Sequence, residues 1–180
     1  MILEVSDAVK RRARTPHELA MVNLLLFNLL LCVALLASTL AREGSVIHRY
    51  WELAVGVPLG LSLIVVAYSF LRAHRAAASE PWFVAVHWRL ATRRYRILLI
   101  AYLVGAALIG LGWLLSLSNP RLQEFMFLAF LRVSVAPMLI AVMVTAGLES
   151  GSIYQAGNGE VPDALASRFP PPADSAPTSG

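Results

Sequence analysis

Nothing constrains this chain more than its long stretches without charge. Residues 19–41, 53–71 and 97–120 contain no Asp, Glu, Lys, Arg or His, and 125–148 contains only Arg132. At 1.5 Å of rise per helical residue, about 20 residues cross a hydrocarbon layer of roughly 30 Å. A water-soluble domain has about a quarter of its residues charged, whereas here 14% are charged and 58% are hydrophobic. The pattern predicts an all-α membrane protein, a four-transmembrane-helix bundle with spans at about 19–41, 51–71, 96–117 and 124–147. It leaves room for one membrane domain, 19–148, between a basic N-terminal segment, 1–18, and a C-terminal tail.

The basic residues give this bundle a direction. Of 15 Lys and Arg, ten fall in two blocks: Lys10, Arg11, Arg12 and Arg14, then Arg72, Arg75, Arg89, Arg93, Arg94 and Arg96. Short cytoplasmic loops are enriched in such residues, so both termini and the 72–96 connection are expected in the cytoplasm. Arg outnumbers Lys fourteen to one, which suggests a GC-rich bacterial genome and hence the bacterial inner membrane. The first apolar run exceeds a signal-peptide core and is interrupted by Asn23 and Asn28, so it is read as a retained span.

Between spans two and three, Ser79 suits a helix N-cap and Glu80–Pro81 a first turn. Trp82, Phe83, Val86 and Leu90 then recur at helical spacing. An interfacial amphipathic helix over about 80–94 is expected, running into the third span. Its anchors at headgroup level would be Trp82, Trp88, Arg89, Arg93, Arg94, Tyr95 and Arg96. Residues 149–180 are rich in Gly, Pro, Ser and Ala and predict a disordered cytoplasmic tail.

Arg132 is the charge that a span should not contain. Intramembrane charges usually face a bundle interior and find a partner. Glu52, at the outer end of span two, is the expected counter-charge. Ser38, Thr39, Ser116 and Ser118 would complete an intramembrane polar cluster that is either structural or ligand-binding.

One cysteine, Cys32, excludes a disulfide framework and a CxxC pair. The histidines show no ligand spacing, and no nucleophile–His–acid set, phosphate loop or HExxH occurs. No cofactor, no metal, no catalytic residue and no nucleic-acid partner is therefore expected. The expected partners are the lipid bilayer and another membrane protein or a second copy. The activity that fits is a non-enzymatic accessory or assembly subunit acting through helix–helix and cytoplasmic-face contacts. The alternative is a small transporter or channel subunit using the cluster around Glu52 and Arg132.

Overall fold

The computed structural model describes residues 1–41, 44–118 and 122–172, of which the side chains of Ile47 and Ser118 are not described. α1 (Asp7–Val22) passes through a π-helical segment (Asn23–Asn28) into α2 (Leu29–Leu40), forming one rod of 34 residues. The short α3 (Val46–Arg49) leads into α4 (Trp51–Ser79). α5 (Trp82–Ser118) and α6 (Gln123–Asn158) follow, and the short α7 (Asp163–Ala166) closes the chain. Among the described residues there is no strand, only an isolated antiparallel bridge between Ile2 and Glu160. The four long helices are each long and apolar enough to cross a membrane. Leu26, Leu30, Val33, Leu53, Ile64, Leu103, Leu114, Ile140 and Met143 point outward from them, the surface a bilayer would cover.

The helices are longer than a membrane requires. α5 has 37 residues and α6 has 36, about 55 Å each at helical rise. Some 20 residues suffice to cross, so each continues for several turns at the end where the basic blocks lie. That basic end has its own apolar core, with Ala13, Ala73, Ala76, Phe83, Val84, Val86, Trp88, Ala156, Val161 and Leu165 all buried. Two further clusters lie above it. One surrounds Leu24, Val66, Leu98 and Val142, and the other surrounds Leu31, Leu35, Leu131, Val135 and Met138.

The interfacial-helix expectation is corrected here. Residues 82–95 are the first turns of α5, continuous with the apolar run, and most of them are packed inside the basic end rather than lying on a surface. Six consecutive residues, Phe83 to Trp88, are buried, and Tyr95 is 1% exposed. The polar face, with Arg89 and Arg93, stays at the surface. Helix growth starts two residues later than Ser79 suggested: Ser79 ends α4, its hydroxyl donating to the Arg75 carbonyl at 3.0 Å. Glu80 then occupies the turn and joins Arg12 of α1 to Arg72 of α4. Its carboxyl is held below the usual range: burial opposes this, but hydrogen bonds and charge from both guanidiniums prevail.

The expected disordered tail is corrected as well. α6 runs on to Asn158, and the chain then folds back across the basic end. Leu3 N–H donates to the Gly159 carbonyl and Val161 N–H to the Met1 carbonyl, each at 2.9 Å. Gly159 ends α6 with φ +76°, and a Cβ there would collide with the Leu3 carbonyl oxygen. Only glycine allows this close a crossing in that conformation. Composition suggested disorder because apolar residues are few in this segment, but two of them, Val161 and Leu165, are buried. Residues 173–180 of the expected tail lie outside the described residues.

Candidate functional site: a buried polar column

Of the polar cluster expected at the outer end, Arg132 and Thr39 come together, but Arg132 does not pair with Glu52. Arg132 instead donates to Thr39, from Nε to Oγ1 at 3.2 Å and from an Nη to the carbonyl at 3.1 Å. Thr39 lies in the last turn of α2, where carbonyls lack helical partners and the helix dipole is negative. Arg132 therefore caps a helix end. Glu52 is exposed in the first turn of α4, where a carboxylate suits the positive dipole end, and it forms no ion pair with Arg132. Ser38, Thr39 and Ser116 donate to carbonyls of their own helices, at Leu35, Leu36 and Trp113. The side chain of Ser118 lies outside the described residues.

The expected anchors of α5 separate into two groups. Trp88 and Tyr95 are buried, and Trp82 donates to the Phe169 carbonyl at 3.2 Å. Arg89, Arg93 and Arg96 line a surface recess, whereas Arg94 turns inward to the Leu148 carbonyl and Glu149.

Glu149 opens onto a site that local spacing could not reveal. His17 of α1, His87 of α5 and Glu149 of α6 are all 0% exposed. His17 Nδ1 meets Glu149 Oε2 at 2.5 Å, His17 Nε2 meets His87 Nδ1 at 2.9 Å, and His87 Nε2 reaches the Glu160 carbonyl at 3.2 Å. Arg94 lies 3.6 Å from the same Glu149 oxygen.

Elementary valence fixes how many protons this chain holds. The Glu160 carbonyl can only accept, so His87 Nε2 carries a proton. Burial first, and then the neighbouring His17, push the His87 pKa down to about 3. A neutral His87 protonated at Nε2 accepts at Nδ1, so His17 Nε2 must donate. One further proton is needed between His17 Nδ1 and Glu149 Oε2. It can reside on either atom, and moving it converts a neutral pair into an imidazolium–carboxylate pair without moving a heavy atom.

From Glu149 the polar groups continue toward the opposite end. Glu149 Oε1 and Thr145 Oγ1 are buried with no hydrogen-bond partner, and the buried Tyr95 hydroxyl lies beside the side chains of Asn23 and Ser69. Farther along, three helices meet in one network. Asn28 Nδ2 donates to the Asn23 carbonyl at 2.9 Å and to Ser62 Oγ at 3.0 Å. Ser62 Oγ lies 2.7 Å from the Tyr102 hydroxyl, which in turn donates to Asn28 Oδ1. Residues five apart stand about 140° apart around an α-helix. The π-helical segment with its wider i→i+5 turn brings Asn23 and Asn28 to the same face, and such turns often accompany function. Beyond Tyr102, the apolar cluster of Leu31, Leu35, Leu131 and Val135 closes the column before it reaches Arg132.

The column can bind, hold or shift protons, and its groups tie all four long helices together. Buried polar atoms without partners are also the usual seats of internal water. Among the described residues no three His, Cys, Asp or Glu side chains are arranged to hold a metal ion. Comparison with protein-family models, with curated proteins and with solved structures gives no match to this chain.

Proposed function

We propose that this chain is a multi-pass protein of the bacterial inner membrane with both termini cytoplasmic. We assign it the role of a non-enzymatic accessory or assembly subunit. The distribution of charge supports the orientation, because both basic blocks and Arg168 sit at one end of the bundle. The observation that carries the subunit role is the open flank of α4. Gly56 and Gly60 stand one turn apart, and a Cβ built on either meets nothing within 4 Å. Their neighbours Val55 and Leu59 line an apolar groove of about 530 Å³ toward α2 and α5, with Gly105 and Ala106 in its wall.

Small residues one turn apart on a lipid-facing helix let a second helix approach closely. The occupant we assign to this flank is an apolar transmembrane helix of a partner protein. The test is purification from native membranes in mild detergent, followed by mass spectrometry, for the natural chain and a Gly56→Leu/Gly60→Leu variant. Neither glycine is covered within the bundle, so yield should not change while the partner is lost. Retention of the same partner by the double variant would refute the assignment. Recovery of only a second copy would replace the partner with a homo-oligomer.

A small transporter or channel subunit is the second reading, favoured by the polar column rather than by the outer cluster. Chains of His, Glu and Tyr inside helix bundles serve as proton relays. Proteoliposomes containing a pH-sensitive dye test it. Proton flux driven by an imposed potential, and abolished in Glu149→Gln, supports transport; flux equal to that of empty vesicles removes it.

A further inference from the structure

Arg168, in the segment expected to be disordered, completes a basic pocket at the edge of the apolar zone. Arg89, Thr92, Arg93 and Arg96 stand at successive turns on one face of α5, and Leu165, Arg168 and Phe169 face them across a recess of about 220 Å³. The recess contains four guanidiniums and no carboxylate. Elsewhere at this end, Glu80 engages Arg12 and Arg72, Glu149 engages Arg94, and Asp163 engages the Met1 amino group. Among the described residues none of Arg89, Arg93, Arg96 and Arg168 is in an ion pair.

This charge is held in place rather than free to disperse. Leu165, 3% exposed, pins the returning segment into the core of the basic end. Phe169 N–H donates to the Leu165 carbonyl at 2.9 Å, and the Phe169 carbonyl accepts from the Trp82 indole at 3.2 Å. The Phe169 ring in turn lies 4.3 Å from the Arg89 guanidinium carbon, a cation–π contact that orients the donor fork. Several guanidiniums converging on one recess match the oxygens of a phosphate group, which they bind through paired hydrogen bonds.

We infer that this recess is a binding site for the phosphate of an anionic phospholipid headgroup. Its depth favours the lipid over free phosphate. Arg96 is the last charge before the uncharged run 97–120, so the pocket lies where a bilayer has its phosphates. Leu165 and Phe169 give one wall the apolar character that suits a glycerol ester, and basic pockets between helices on this side of a membrane bind such headgroups.

The test titrates the full chain in detergent with short-chain phosphatidylglycerol, with short-chain phosphatidylcholine and with inorganic phosphate, using tryptophan fluorescence as the readout. Trp82, bonded to Phe169, is the local reporter. Saturable binding of phosphatidylglycerol is expected, with a much weaker response to phosphatidylcholine. The Arg93→Gln/Arg168→Gln variant should bind roughly 30-fold more weakly, at about a factor of five per arginine. Both positions are exposed and outside the ties that hold the fold, and Arg49→Gln at the opposite end should leave binding unchanged. Equal affinity for phosphatidylglycerol and phosphatidylcholine would overturn the site. So would an unchanged titration in the double variant, while tighter binding of inorganic phosphate than of the lipid would overturn the lipid assignment.

Discussion

Glu149→Gln is the most informative single substitution, because, with the shared proton on His17, it removes a charge from the buried column while keeping its volume. A glutamine amide N–H can donate to His17 Nδ1, so the contact is kept, no cavity forms, and the loss is electrostatic. A hydrogen bond to a charged group contributes about 1.5–3 kcal/mol against about 0.5–1.5 for a neutral one, a loss of roughly 1 kcal/mol at His17. Arg94 stands 3.6 Å from the carboxylate, which at an effective dielectric of 20 is an attraction of about 4.6 kcal/mol. Its remaining bond to the Leu148 carbonyl and the 14% exposure of its side chain let water recover about half of that. The net expectation is a destabilisation of roughly 3 kcal/mol, or about 6–12 °C in melting temperature for a chain of this size. Thermal unfolding in mild detergent, followed by tryptophan fluorescence, measures it, with Trp88 reporting from beside Tyr68 in the basic end. Glu124→Gln, exposed at the opposite end, should move the midpoint by no more than 1–2 °C, about half a kcal/mol. A Glu149→Gln chain that melts with or above the natural one would refute a stabilising role for the carboxylate.

Three further outcomes follow from the same geometry. Arg132→Leu should cost about 1–2 kcal/mol through the uncapped end of α2, whereas Glu52→Gln should cost almost nothing; equal effects in a denaturation assay would restore a Glu52–Arg132 pair. Gly159→Ala should destabilise by about 2 kcal/mol or more, from φ +76° and the clash with Leu3, and protease nicking of the N-terminal arm would report it. Acid should act in two windows. His87, neutral when folded, has its pKa lowered from 6.5 to about 3, so the unfolded chain binds more protons and stability falls as pH drops below about 6.5. Glu80, also lowered, contributes stability that is present above its ordinary 4.5 and is lost as pH falls below it; a His87→Gln chain should lose only the upper window of a pH–stability profile.

The four long apolar helices were legible because each is a long run with at most one charge, and their number and rough limits follow from the length that crosses a bilayer. What lay beyond the runs was not legible. Phe83 to Trp88 are buried in succession, so the stretch lacks the one-sided period that distinguishes a packed helix from a surface one. In α6, Gly147, Gly151 and Gly157 depress helix propensity where the structure continues the helix to Asn158. The column was hidden for a different reason. His17 is 70 residues from His87 and 132 from Glu149 in the chain, and no local spacing encodes such a meeting. A faint signal did exist, since Glu149 directly borders the run 125–148 and His17 stands two residues before the run that begins at Leu19. For Arg132, the search for a carboxylate overlooked the free carbonyls at a helix end.

The 132-residue gap between His17 and Glu149 also sets a schedule for making the protein. At about 5–20 residues per second, ribosomes deliver Glu149 roughly 7–26 s after His17. Until α6 is made, His17 lacks Glu149 and only the contacts of Asn28 with Ser62 and Tyr102 and of His17 with His87 can form. Slow arrival of α6, rather than weak packing of α1, would then limit how much of this protein reaches its folded form.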